Sequence, residues 1–209
     1  MSEPGSHVFT VVDSRTVYDG AVLALRVDRV RMPGGREANR EVVEHHGAVA
    51  VVAVDDTDQV VLVHQYRHPV GRRLWELPAG LLDAAGEDPV VAAQRELSEE
   101  VGVTAAEWAV LLDIDASPGV TDEAVRVFLA TGLTDVDRPA GRDDEEADLV
   151  VGRMPWRQAV ARVLGGEIVN AATAAGLLAL AAVRADSGQV RPPDAPWPDR
   201  PTRYAARQR

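Results

Sequence analysis

Residues 48–54 read AVAVVAV, a run of valine and alanine with no polar residue breaking it. A strand with one wet face alternates apolar and polar residues, so an unbroken run needs apolar cover on both faces. Such a strand belongs at the centre of a layered fold, a sheet flanked by helices. DDTD at 55–58 then turns the chain into VVLVHQY at 60–66, a second strand. A loop, HPVGRR, leads on to LWELPAG. Ahead of this core, residues 8–31 alternate, as in ALRVDRVRM, and a PGG turn at Pro33–Gly35 leads into REVVEHH. This reads as a two-strand antiparallel β unit.

A helix is expected over 89–101. Asp88 is a good N-cap, Pro89 sits where a missing N–H costs nothing, and Gly102 is suited to end the helix. Strands are expected near 108–114 and 124–130, joined by the loop DASPGVTDEA, and the polar, acidic stretch 133–147 reads as a loop. A strand at 148–152 precedes helices near 155–164 and 171–185. The final stretch, RPPDAPWPDRPTRY, is rich in proline and arginine and reads as an extended tail on the surface or on a partner. The expected organisation is an N-terminal β unit over 1–46, an α/β domain with a mixed sheet over 47–186, and a tail over 187–209.

Composition removes several function classes. A net charge of −11 is the wrong footprint for tracking nucleic-acid backbones. No cysteine is present, so disulfides and thiolate metal sites are excluded, in keeping with a reducing, cytoplasmic setting. The opening MSEPGSHVFT has neither the basic nor the apolar region of an export signal. AATAAGLLALAAV is too short to span a bilayer, so no membrane partner is expected. All 22 basic residues are arginine, which rules out lysine chemistry and leaves guanidinium groups to meet any phosphate. The histidines show no zinc-binding spacing.

The chemistry is concentrated in RELSEEVG, residues 95–102. At about 100° per residue, Glu96 and Glu100 share a helix face and Glu99 adjoins Glu96. Val90, Ala93, Leu97 and Val101 form the opposite stripe, which must face the core. The carboxylates should then be displayed together and outward. Each like-charge pair costs roughly 0.2–0.5 kcal/mol without a counter-ion. A hard divalent cation removes that cost. A merely solvated helix face would also carry glutamates, so the helix alone decides nothing.

The wider stretch GLLDAAGEDPVVAAQRELSEEVGV decides it. Gly80, Glu87, Arg95, Glu96, Leu97, Glu99, Glu100, Gly102 and Val103 resemble the Nudix box, with one residue more than usual between Gly80 and Glu87. That resemblance implies a Nudix α/β/α sandwich that hydrolyses a nucleoside diphosphate linked to another moiety, with several Mg²⁺ or Mn²⁺ ions. It implies that Glu96 and Glu100 are principal metal ligands, with Glu99 and the backbone carbonyl of Ala79 in the same cluster. Arg95 would hold the carboxylates in register.

Pro118 in SPGVTDE and the stretch QYRHPVGRRLWELPAG further resemble the ADP-ribose pyrophosphatase branch. By that resemblance Arg67 reaches the diphosphate, Glu76 binds on the nucleoside side, and Glu123 faces the terminal ribose or its metal shell. The N-terminal β unit is expected to exchange across a homodimer, with substrate between subunits. The catalytic base is expected in DDEEAD, residues 143–148, with Glu146 first and Glu145 second. Three readings follow: hydrolysis of ADP-ribose to AMP and ribose 5-phosphate, hydrolysis of another nucleotide sugar or dinucleotide such as GDP-mannose, or a non-catalytic module that senses ADP-ribose.

Overall fold

The two-faced burial expected of the valine run is what organises the larger unit of the chain. The structure is a computed structural model that describes residues 5–84, 86–138, 148–186 and 188–207. In β4 (Ala48–Ala53), Val49, Val51 and Ala53 join a core with Ala92, Ala93 and Leu97 of α1 (Pro89–Val101). Ala50 and Val52 point the other way, into a core with Leu177 and Leu180 of a C-terminal helix (Ala171–Arg184). β5 (Gln59–Arg67) divides in the same manner, Val61 and Val63 to the first core, Val60 and Leu62 to the second. Each fully buried valine contributes roughly 1.5–3 kcal/mol, and period-two alternation delivers that burial to both layers at once.

One sheet has the order β7 (Ala79–Leu81), β4, β9 (Ala124–Asp135), β8 (Val103–Asp115). β4 runs antiparallel to β7 and parallel to β9, so the sheet is mixed as expected. A second, antiparallel sheet has the order β10 (Val150–Pro155), β5, β6 (Arg72–Glu76). The helices on the second core are α2 (Trp156–Leu164) and α3 (Ala171–Arg184). These layers make the α/β sandwich.

Two local expectations are corrected. HPVGRR is not a loop throughout: His68–Val70 form a 3₁₀ turn, Gly71 takes φ 66°, and Arg72 and Arg73 open β6 opposite Arg67 and Tyr66. The left-handed glycine reverses the chain tightly enough for the arginines to pair. β8 and β9 also run longer than their apolar stretches, from Val103 and to Asp135, because strand pairing continues past the buried positions. The segment after α3 is fastened within this unit. Val110 and Arg191 exchange two backbone hydrogen bonds, and the Arg126 guanidinium donates to the carbonyls of Ala195 and Pro196.

The smaller unit comprises the chain through Gly47, Asp115–Glu123 and the stretch from Arg200. Its antiparallel sheet has three strands, β1 (Thr10–Asp19), β2 (Leu23–Arg31) and β3 (Glu37–His45), where two were expected. A turn at Gly20, whose N–H donates to the Leu23 carbonyl, splits the long alternating run that reads as one strand. The buried Glu44 carboxylate accepts from Arg26 at 2.5 Å and from Arg207 of the terminal helix α4 (Arg203–Arg207). Tyr204, fully buried, donates to the Gly20 carbonyl at 2.5 Å. Among the described residues no helix is long and apolar enough to cross a membrane.

Candidate active site

The cluster is built on α1, whose ends behave as the sequence requires. Asp88 accepts from the Val90 N–H at 3.0 Å, Pro89 opens the helix, and Gly102 closes it at φ 67° with its N–H on the Leu97 and Ser98 carbonyls. Ala93, Leu97 and Val101 are buried on the core side. The expectation that the carboxylates face outward needs correction. Glu100 is only 8% exposed and the Glu96 side chain 12%, while Glu99, at 37%, is the open one. The reason is β7, whose backbone meets this face of the helix.

The contacts with β7 are specific. Glu100 accepts the Ala79 N–H at 2.9 Å. Opposite Gly80 stands the Glu96 carboxylate: a β-carbon built on Gly80 would lie 2.1 Å from its Cδ and Oε1. Only a residue without a side chain leaves room for that acid group. β7 is itself held by β4, Gly80 opposite Val49 and Ala79 opposite Ala50. The sheet therefore sets where the helix carboxylates can go.

Arg95 gathers three of the acids. Its Nη1 donates to Glu96 at 2.7 Å and to Glu99 at 3.0 Å, while its Nε and Nη2 each donate to Glu87 at 3.2 Å. Bonding to Glu87, with the other two carboxylates assisting, raises the Arg95 guanidinium above its ordinary pKa despite partial burial. Burial pushes the Glu96 carboxyl above its usual value, and Glu99 and Asp83 add to that; Arg95 opposes the rise without cancelling it. Among the described residues, the three carboxylates bonded to Arg95 outnumber its one positive charge.

Glu87 is the residue to which sequence reasoning gave no role. Its signal is present, a motif position eight residues before Arg95, just ahead of the N-cap. The one-residue lengthening after Gly80 does not prevent Glu87 from reaching Arg95.

Arg67 and Glu76 stand together. Glu76, 2% exposed, accepts from Arg67 Nη2 at 2.7 Å and from Gln65 at 3.3 Å. Hairpin pairing of β5 with β6 produces this meeting. Glu123 belongs to the smaller unit, where its Oε1 lies 3.8 Å from His45 Nδ1 and the adjacent Asp122 accepts the His45 N–H at 2.9 Å. Glu145 and Glu146 lie outside the described residues.

Among the described residues, no three acidic or histidine side chains are drawn together into a group that could hold a metal ion. The acids are arranged around Arg95 instead. The donor set nevertheless suits a hard divalent cation: every candidate ligand is an oxygen, the local charge is in deficit, and Glu96 is kept close to the helix by the backbone opposite Gly80.

The NUDIX domain family model matches residues 44–169, and the model described as nucleoside diphosphate sugar hydrolase N-terminal domain matches residues 9–43. The ADP-ribose pyrophosphatase of Mycobacterium tuberculosis (strain ATCC 25618 / H37Rv) is 56% identical over 202 residues, 97% of each chain. The methanol dehydrogenase activator of Bacillus methanolicus is 40% identical over 140 residues, 66% of this chain and 75% of that one. The crystal structure of an ADP compounds hydrolase superposes with a TM-score of 0.74, covering 87% of this chain and 97% of the other at 22% identity, a likeness of fold.

Proposed function

This chain belongs to the Nudix family, and from that premise we propose that it hydrolyses ADP-ribose. Water adds to one phosphorus of the diphosphate and the bond from that phosphorus to the bridging oxygen breaks. The products are AMP and ribose 5-phosphate. The observation that carries this reading is the near full-length identity to an ADP-ribose pyrophosphatase, joined to an intact acidic cluster.

Glu96, Glu99, Glu100 and the Ala79 carbonyl would hold Mg²⁺ or Mn²⁺, which when bound neutralises charge on the diphosphate. Arg95 keeps Glu87, Glu96 and Glu99 in register, so little side-chain freedom remains to be lost when substrate arrives. Arg67 reaches the diphosphate with its guanidinium aimed by the buried Glu76, which lies on the nucleoside side. Glu123 faces the terminal ribose. Glu146, with Glu145 beside it in sequence, takes the proton of the attacking water. We assign residues 1–46 to a β unit through which the chain forms a homodimer, 47–186 to the catalytic domain and 187–209 to a tail, and place the enzyme in the cytoplasm.

A panel of ADP-ribose, GDP-mannose and a dinucleotide, scored by released phosphomonoester with Mg²⁺ or Mn²⁺, tests the substrate. ADP-ribose should lead it. If ADP-ribose ranked among the poorest, the assignment would pass to another nucleotide sugar. Saturable ADP-ribose binding with no turnover would make the chain a sensor.

A further inference from the structure

Away from the acidic cluster, on the opposite core's outer side, a cavity of about 540 Å³ opens between α2 and the last turn of α3. Its floor is apolar: Val160, Ala161 and Leu164 from α2, Ala181 from α3, and the edge of Trp156. Leu164 is 76% exposed. The cavity's charged lining residues are both arginines, Arg157 and Arg184, in a chain of net charge −11.

The charge is not spread evenly along the groove. Arg157 sits in the first turn of α2, its guanidinium 4.3 Å from the Trp156 ring centroid, and Arg184 closes α3 on the same side. The N–H of Trp156, which opens α2, is already accepted by the Asp58 carbonyl at 3.0 Å, so the arginines alone supply the positive charge here. Two positive side chains therefore meet at one end, while Val160 and Leu164 continue the groove for roughly 10 Å at 1.5 Å per residue. The acid already at this end is Asp58, exposed and 3.2 Å from Arg184.

We propose that this groove is a second binding site, for a small elongated amphipathic carboxylate. Its acid head displaces Asp58 from Arg184 and bonds to Arg157, and its aliphatic body lies along Val160 and Leu164. The volume is in the range of small-molecule sites, and apolar walls with a few converging polar groups are how such sites gain orientation. An acidic peptide is disfavoured, because the groove has one charged end and no row of further donors along it. The site stands apart from ADP-ribose hydrolysis and does not rest on it.

The test is calorimetric titration of the full chain with decanoate below its micellar concentration, with decanol as the neutral control. Decanoate should bind saturably at one site per chain and at least tenfold more tightly than decanol. Leu164→Glu should abolish decanoate binding, and Arg184→Gln should weaken it at least tenfold while leaving decanol unchanged. Unchanged melting temperatures in both variants would show that the fold is kept. Absence of saturable heat with the wild-type chain, or equal affinity in the wild type and Leu164→Glu, would overturn the proposal. So would sedimentation showing that Leu164→Glu splits a dimer, since the groove would then be covered by a second copy.

Discussion

Adding one methyl group at Gly80 should damage the acidic cluster without touching any acid. The new β-carbon would stand 2.1 Å from the Glu96 carboxyl carbon, where ordinary contact begins at 3.4 Å, so the carboxylate must withdraw by about 1.3 Å. Gly80 is not among the glycines at positive φ, so alanine meets no backbone strain and the effect comes from this clash. Withdrawal breaks the 2.7 Å bond from Arg95. A charge-assisted bond contributes roughly 1.5–3 kcal/mol; because Arg95 is a third exposed and keeps Glu87 and Glu99, about 1–2 kcal/mol is the expected loss. At Glu96, the proposed metal ligand, a displacement of this size should lower turnover by about a hundredfold. Hydrolysis of ADP-ribose by Gly80→Ala, followed by phosphomonoester release beside a urea titration, measures both. The double variant Gly80→Ala/Glu96→Ala should be no worse than Glu96→Ala alone, because both routes end at the same side chain. Activity of Gly80→Ala within threefold of wild type would refute the reasoning.

Three further outcomes are expected. Glu100→Gln keeps an oxygen for the Ala79 N–H but loses its charge, so turnover should fall at least about a hundredfold with stability changed by less than about 1 kcal/mol, read by kinetics and melting. Arg126→Ala should cost about 3–5 kcal/mol in denaturation, because the nearly buried guanidinium bonds to Asp113 and to two carbonyls of the C-terminal segment. The urea midpoint should hold steady down to about pH 5 and then drop. Burial pushes the Glu44 carboxyl up, but bonds from Arg207 and Arg26 outweigh it and hold the group below the usual carboxylate range. A folded-state value below the unfolded one gives stability that is complete above the unfolded value and lost as pH falls through the folded one. Glu44→Gln should remove part of that acid sensitivity.

What the sequence made legible was whatever local chemistry decides. Asp88, Pro89 and Gly102 fix both ends of α1 with their own side chains or backbone freedom, so its bounds could be read directly. The valine run gave the sandwich because burial on two faces admits few architectures. The orientation of Glu96 and Glu100 is not legible in the sequence because helical periodicity gives faces relative to each other, not what lies against them. That information sits in β7, whose pairing with β4 brings Ala79 and Gly80 to the helix from well upstream in sequence. The role of Glu87, named only as a motif position, is hidden for a related reason: it reaches Arg95 only once the turn before α1 has folded. The pairing of Arg67 with Glu76 was likewise hidden, since it depends on the register of β5 against β6.

The charge arithmetic of the cluster leads to the most direct check on its purpose. Among the described residues, Glu87, Glu96 and Glu99 bring three negative charges to the one guanidinium of Arg95, an excess that partial burial makes costly. A structural cluster would gain nothing from that excess, since a second arginine or an uncharged residue at Glu99 would relieve it. A site meant for a divalent cation needs it. Saturating Mn²⁺ or Mg²⁺ should therefore stabilise the wild-type chain, by about 2.7 kcal/mol when the free metal is a hundred times its dissociation constant. Glu96→Gln and Glu100→Gln should lose that gain, whereas Glu44→Gln, in the smaller unit, should retain it. Melting curves taken with and without metal, and again with a nucleoside diphosphate present, separate the possibilities. A wild-type chain that melts at the same temperature under all of these conditions would mean that the acids around Arg95 serve the fold alone.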